Sequence, residues 1–193
     1  MKSDRRVERL SRALKLTQPD LTVVLENIHD PHNVSAILRS CDAVGVRNIN
    51  LLYTTESFPK IGKKSSASAY KWVERRNYKS VESCYKELRG EGFVIAASVV
   101  SEESVSLYDL DFLGKVALVF GNEHRGVTPE ASAAADIRFQ IPMHGMVQSL
   151  NVSVACAITL YEALRQRIKS GATGKRKLSE AEFENILNQW MRK

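Results

Sequence analysis

Three turns of this 193-residue chain combine glycine, amide and charged side chains in patterns that could bind a small ligand. They span residues 27–33, 121–128 and 142–151. The second, GNEHRGVT, has the glycine spacing of a phosphate-binding P-loop, but Val127 stands where that loop needs its lysine. Nucleotide hydrolysis is therefore disfavoured. The turns instead predict a ligand that is held mainly by backbone groups and carries no large negative charge.

The third turn leads into HGMVQSLNVSVACA, residues 144–157, which places polar side chains at the start of a predicted buried helix, 149–169. Ser149 and Asn151 lie two positions apart, so they point to different sides of that helix start. We expect one of them to cap the helix and the other to face a pocket.

Other common site patterns are incomplete. The G-x-G sequence at 90–92 precedes a predicted strand instead of following one, so it is not a dinucleotide-binding fingerprint. His29 and His32 are three residues apart, but no third ligand is placed near them, and we expect no metal site.

Hydrophobic periodicity and turn residues predict an alternation of strands and helices. Strands are predicted at 21–28, 48–54, 72–78, 93–100, 116–121 and 137–142, and helices at 3–16, 34–45, 80–90, 128–135, 149–169 and from Ser179 onward. Such alternation is typical of an α/β domain with a mostly parallel sheet flanked by helices. Ligands of such sheets bind at the carboxyl ends of the strands, where the three turns would meet.

The charge of the chain is unevenly distributed. Its net charge is +6, and Lys and Arg are concentrated in residues 1–16, 60–79 and 165–177. This segregation favours a surface for a polyanion, above all nucleic acid, although ordinary solvated faces give the same pattern. A membrane surface is disfavoured because no exposed aromatics flank the basic segments.

The remaining composition fits a cytoplasmic protein. The hydrophobic fraction of 44% is ordinary, and no stretch is long and apolar enough to span a membrane. The first ten residues lack an apolar signal core, and three widely spaced cysteines do not form a disulfide framework. The tail helix carries an apolar stripe that must pack on the body or on another subunit.

Three long stretches resemble the motifs of the SPOUT superfamily of RNA methyltransferases, in its 2′-O-ribose branch. They are residues 25–45, 118–127 and 141–158, and the flanking helices further resemble the TrmH type, which methylates the D-loop guanosine of tRNA. The resemblance implies S-adenosyl-L-methionine as the methyl donor, tRNA as the partner, an obligate homodimer with the active site near the subunit interface, and a C-terminal trefoil knot. It divides the chain into an N-terminal basic helix (1–19), the methyltransferase domain (20–170), and a linker with a C-terminal amphipathic helix (171–193).

The resemblance also assigns roles to individual residues. It implies cofactor contacts from Ala97, Gly121, Ile141, Met146 and Leu150. The alternative for the methionines of this segment is that they only fill space in the protein interior. It implies catalytic roles for Arg39, Asn33, Glu123, Ser149 and Asn151. The basic segments add the expected RNA contacts Arg5, Arg9, Arg12, Lys63, Lys64, Lys175 and Arg176.

Two of these roles stay open. Because a guanidinium is always protonated, Arg39 either passes a proton to an RNA phosphate or orients the ribose hydroxyl and stabilises developing negative charge. The plain alternative is a surface salt bridge with Asp42. Glu123 is either an organiser of the cofactor loop or a structural anchor away from the RNA.

Two other functions remain compatible with these motifs. One is 2′-O-methylation of ribosomal RNA or of the tRNA anticodon loop, and the other is non-catalytic RNA binding on the same fold. The short segment before the first strand favours tRNA over ribosomal RNA.

Overall fold

A computed structural model describes residues 4–59, 69–173 and 177–193. The helices are α1 (Asp4–Lys15), α2 (Pro31–Val44), α3 (Ala69–Trp72), α4 (Val81–Gly90), α5 (Pro129–Ala134), α6 (Val152–Lys169) and α7 (Glu180–Arg192). The strands are β1 (Leu21–Glu26), β2 (Asn48–Leu52), β3 (Glu74–Tyr78), β4 (Val94–Ser98), β5 (Val105–Ser106), β6 (Val116–Phe120) and β7 (Ile137–Gln140).

The strands form one sheet in the order β3-β2-β1-β6-β4-β7-β5, and every pairing between them is parallel. The predicted α/β class and parallel sheet are thus confirmed. Every residue of β1 and β6 is buried, because helices cover both faces of the sheet, and this explains their continuous apolar sequences. In register, Val23 of β1 lies beside Ile49 of β2 and Leu118 of β6.

Each face of the sheet has its own core. On one face α2 and α6 pack together and bury Ile37, Cys41, Cys156 and Leu160. On the other face α4 and α5 pack on the sheet around Tyr85. All three cysteines of the chain are buried and unpaired, as expected for small core residues.

The terminal helices pack on each other. Leu10 and Leu14 of α1 share a core with Phe183, Ile186 and Trp190 of α7. The apolar stripe of the tail helix is therefore covered by the chain itself. None of the described helices is both long and apolar enough to cross a membrane.

Several predicted boundaries were wrong. The helix predicted from residue 149 begins at Val152, because Asn151 serves as its N-cap. The predicted loop 55–71 ends in the short helix α3. The two-residue strand β5 was not predicted, since so short a segment carries no period of its own.

Candidate active site

The segments that follow β4, β6 and β7 surround a cleft of about 570 Å³ at the carboxyl edge of the sheet, and the loop after β1 lies beside it, hydrogen-bonded to Glu123. We call it the strand-end cleft. Six of the residues predicted for the site line it: Gly121, Glu123, Ile141, Ser149, Leu150 and Asn151. The prediction that the three turns meet is confirmed, because the carboxyl ends of parallel strands lie along one edge of the sheet.

Glu123 ties the loop after β6 to the start of α2. Its carboxylate accepts hydrogen bonds from the backbone N–H groups of His29 and Asp30, each at 3.0 Å, and from Nδ2 of Asn33 at 2.9 Å. Partial burial alone would raise the pKa of Glu123, but these hydrogen bonds, first that of Asn33, hold it below its ordinary value. The ionised carboxylate therefore organises the loops that line the cleft.

Asn33 extends this connection to the third turn. Its Oδ1 accepts a hydrogen bond from Nδ2 of Asn151 at 3.0 Å. The chain Glu123–Asn33–Asn151 thus joins all three turns, although its members are 90 and 118 residues apart in sequence. No hydrogen bond joins Asn33 to Arg39 within the described residues.

Asn151 also caps α6. Its Oδ1 accepts from the backbone N–H of Ser153 at 2.9 Å, while Ser149 lines the strand-end cleft outside the helix. The prediction that one residue of the pair caps the helix is confirmed for Asn151, but both residues line the cleft.

Gly121 permits a close backbone approach at the end of β6. A Cβ atom at this position would lie 2.2 Å from the backbone of Gly126 and Val127. No real Cβ contact is that short, so the returning segment of the loop can lie against β6 only because residue 121 is glycine.

We predict that Gly121→Ala displaces this loop and weakens both cofactor binding and turnover. A displacement of about 1 Å costs roughly 100-fold in activity. Calorimetry with S-adenosyl-L-methionine and initial rates of methyl transfer would measure the two losses. Gly114→Ala is the matched control, because its Cβ would meet no atom within 4 Å. Wild-type affinity in Gly121→Ala would contradict the packing argument.

Asn27 is a site residue that sequence reasoning missed. It has a left-handed backbone with φ 51°, and its Oδ1 accepts from the backbone N–H groups of Thr54, Thr55 and Glu56. Its own carbonyl accepts from Nδ2 of Asn122 at 2.8 Å. Asparagine tolerates this backbone better than most residues, so an asparagine directly after a buried strand was the available signal.

Two predicted cofactor residues lie outside the strand-end cleft. Ala97 is fully buried in β4, and the next residues, Ser98 and Val99, line the cleft. Met146 is 99% exposed, and Met143 lines the cleft instead.

Arg39 lies in a second cleft, of about 480 Å³, which we call the Arg39 cleft. It is lined by Ala36, Arg39, Ser40, Asp42, Ala43, Ala69 and Tyr161. The Arg39 side chain is exposed and forms no ion pair with Asp42 within the described part of the chain. The salt-bridge alternative is therefore not supported, and one chain by itself does not bring Arg39 to the strand-end cleft.

The predicted RNA-binding residues Arg5, Arg9 and Arg12 are exposed on α1. The others, Lys63, Lys64, Lys175 and Arg176, lie outside the described residues.

Comparisons with known proteins agree with this arrangement. The model of the SpoU rRNA methylase family matches residues 20–161. The chain is 42% identical, over its whole length, to the tRNA (guanosine(18)-2′-O)-methyltransferase of Thermus thermophilus, of which it covers 98%. The TrmH/SpoU tRNA-modifying enzyme of A. aeolicus, known from a crystal structure, shares 40% sequence identity with this chain. The two structures superpose with a TM-score of 0.91 over 98% of this chain and 96% of that one.

A more distant structure contains a ligand. The AdoMet-bound rRNA methyltransferase from Sinorhizobium meliloti is 26% identical, with a TM-score of 0.61 over 80% of this chain and 59% of that one. With three motif loops joined by hydrogen bonds and a family match that covers most of its length, this chain belongs to the SpoU rRNA methylase family.

Proposed function

We propose that the protein transfers a methyl group from S-adenosyl-L-methionine to the ribose 2′-oxygen of the D-loop guanosine of tRNA, at position 18. The observation that carries the proposal is the Glu123–Asn33–Asn151 connection, which joins the three motif loops to one another at the edge of the strand-end cleft. Similarity over the whole chain to enzymes of this activity supports the same substrate.

The strand-end cleft suits the cofactor. Its volume falls in the range of small-molecule sites. Val99, Ile141 and Leu150 provide apolar walls for an adenine, and Gly121 leaves backbone groups open to contact. When bound, the cofactor supplies a sulfonium methyl group, which passes to the ribose oxygen as the hydroxyl proton leaves. We propose Ala97 and Met146 as further contacts after rearrangement of the loops on binding.

Arg39 acts at the acceptor ribose. Because its guanidinium stays protonated, it cannot accept the hydroxyl proton itself. It works with an RNA phosphate, either by aiding proton transfer to that phosphate or by orienting the hydroxyl and stabilising the charge that develops on it. Asn33, Glu123, Ser149 and Asn151 position the loops and the ribose around the methyl group.

A homodimer would bring Arg39 to a strand-end cleft. Val154, Tyr161 and Ile168 are exposed apolar residues spaced seven apart on α6, so they form one row on that helix. Such a row is typical of a subunit interface. Tyr161 also lines the Arg39 cleft. Pairing through this row would bring Arg39 to the interface, and we propose that it there reaches the strand-end cleft of the partner subunit. Sedimentation of the wild type and of Tyr161→Asp would test this arrangement, and a wild-type monomer would exclude it.

Three further parts of the proposal rest on the family. They are a trefoil knot in the C-terminal third, a methyltransferase domain at 20–170 between two terminal segments, and a cytoplasmic location. The order of the sheet, with β7 between β4 and β5, is compatible with such a knot.

Nucleoside analysis tests the reaction. The protein is incubated with labelled cofactor and separate transcripts of tRNA and ribosomal RNA, and the RNA is then digested to nucleosides. We expect the label in 2′-O-methylguanosine from the tRNA D-loop. Label on a base, or only in ribosomal RNA or the anticodon loop, would contradict the proposal. Cofactor binding without transfer to any RNA would instead support a non-catalytic protein.

We also predict that tRNA binding weakens steeply as salt rises. Each phosphate neutralised by Lys or Arg releases counterions, so the logarithm of the affinity falls linearly with the logarithm of the salt concentration. Replacing Arg5, Arg9 and Arg12 with glutamine should reduce this slope by about one for each of these arginines that neutralises a phosphate. Filter binding at several salt concentrations measures the slope. If the affinity of the wild type does not change with salt concentration, the basic segments do not contact the RNA.

A further inference from the structure

Asp42 is an acidic residue in the Arg39 cleft. It lies three residues after Arg39 on α2, and both residues line this cleft. Its carboxylate forms no hydrogen bond and no ion pair within residues 4–59, 69–173 and 177–193. The catalytic mechanism proposed above does not use it.

The surroundings of Asp42 leave room for a ligand. The other residues of the cleft are mostly small, namely Ala36, Ser40, Ala43 and Ala69, and its volume of about 480 Å³ is typical of a small-molecule site. Partial burial raises the pKa of Asp42, and the positive charge of Arg9 opposes that rise. Asp42 is nevertheless an exposed residue, so its carboxylate is open to a ligand that enters the cleft.

A carboxylate beside a catalytic arginine is unfavourable for RNA binding unless it contacts something other than phosphate. It would repel a phosphate, whereas its two oxygens accept hydrogen bonds from N–H groups. Bases of single-stranded RNA loops are commonly turned outward and recognised by hydrogen bonds to their Watson–Crick edges. The D-loop guanosine of the proposed reaction lies in such a loop.

Guanine is the base whose Watson–Crick edge matches a carboxylate. Its N1–H and its N2 amino group are adjacent donors, so both carboxylate oxygens can accept at once. Adenine and cytosine each present an amino group beside an unprotonated ring nitrogen, which would face the second oxygen unfavourably. Uracil presents one N–H between two carbonyl groups.

We propose that Asp42 determines base specificity by accepting hydrogen bonds from N1–H and N2–H of the target guanine, while Arg39 acts at the ribose of the same nucleotide. Residues three apart on a helix have Cβ atoms about 5–6 Å apart, which lets both side chains reach one nucleoside. This assignment rests on the proposed function, and it adds a reason why guanosine is the acceptor.

The test compares tRNA transcripts with guanosine, inosine or adenosine at the target position. Inosine lacks only the N2 amino group, so the wild type should prefer guanosine to inosine about tenfold or more in kcat/KM. Asp42→Ala should bring this ratio close to one. Asp42→Asn should shift preference toward adenosine, because an amide can accept from the adenine amino group and donate to the neighbouring ring nitrogen.

Matched controls separate specificity from stability. Glu82→Gln changes an exposed acidic residue of α4, on the opposite face of the sheet, and should leave all three ratios unchanged. Cofactor affinity and denaturant unfolding of the Asp42 variants should stay near wild type. Where a variant turns over too slowly, the affinities for the three transcripts supply the same comparison.

The outcomes distinguish the two proposals. If the wild type methylates no tRNA ribose, the proposed function fails. If the wild type methylates guanosine but uses inosine equally well, the assignment of Asp42 is wrong. It is also wrong if Asp42→Ala and Asp42→Asn keep the wild-type ratios between transcripts. A loss of rate that is equal on all three transcripts leaves these ratios unchanged and therefore counts against the assignment.

Discussion

Arg39→Ala should lower methyl transfer to tRNA by about 100- to 1000-fold or more while leaving affinity for S-adenosyl-L-methionine nearly unchanged. Loss of a group that stabilises developing charge has an effect of this order. Cofactor affinity should survive because Arg39 does not line the strand-end cleft of its own chain and is proposed to act on the ribose and not on the cofactor. Single-turnover rates and calorimetry measure the two quantities separately.

Two further variants sharpen this prediction. Arg39→Lys keeps the positive charge but loses the planar, forked donor geometry, so we expect little recovery of the rate. Arg138→Ala removes an exposed arginine of β7 that pairs with Glu103, and its rate should stay near wild type. Substantial turnover in Arg39→Ala would exclude the proposed role.

Arg167→Met should cause the largest loss of stability. Arg167 lies near the end of α6, and its side chain is 0% exposed. Its guanidinium donates to the carbonyls of Phe112 at 2.8 Å and Gly114 at 2.9 Å, and to the side chains of Gln18 and Asp20. It thus joins α6 to the segments that precede β1 and β6.

Methionine fills much of the volume of arginine but supplies no donor. The two carbonyls would lose this donor, and the Asp20 carboxylate would lose Arg167 while keeping its contact with Lys177. Breaking a buried ion pair in this way costs about 3–5 kcal/mol of unfolding free energy. Urea denaturation measures the change. Arg138→Met is the control, because Arg138 and its partner Glu103 are both exposed, so the effect should be small. Equal losses in both variants would contradict the prediction.

The pH dependence of stability provides a second readout of this contact. Burial alone would raise the pKa of Asp20, but Lys177 and Arg167 together hold it below its ordinary value. A carboxyl group whose pKa is lowered by folding stabilises the protein above its unfolded pKa, near 4. That contribution is lost as the pH falls through the lower, folded value. Arg167→Met should therefore lose less stability than the wild type between neutral pH and acid.

Sequence reasoning succeeded where the physical cause is local. The predicted helix limits near residues 45, 128 and 179 have local causes in the structure. They are the left-handed Gly45 after α2, the capping of α5 by Thr128 with Pro129 in the first turn, and the capping box at Ser179. Alternating apolar segments then sufficed to predict a parallel sheet with three ligand-binding turns at one edge. The shift of the α6 start to Val152 was missed because two nearby polar residues were equally good caps.

Sequence reasoning failed where the partner is distant. Nothing near Asn27 shows that its side chain would accept from three successive N–H groups about 28 residues away. Arginine usually lies at the protein surface, and only the loops that pack around Arg167 make it a buried donor. In both cases the pattern of hydrogen bonds is a property of the assembled fold.

The amino-acid sequence by itself determined the α/β class, the helix caps and the three motif turns, because these follow from short-range sterics, hydrogen bonding and apolar periodicity. The tertiary structure decided which of the predicted site residues meet. It joined Asn33 by hydrogen bonds to Glu123 and Asn151, which line one cleft, and placed Arg39 with Asp42 in another. The physical reason is that strand order and helix packing set the distances between these groups. Both depend on contacts between residues far apart in sequence, whereas local patterns identify each group separately and not its distance from the others.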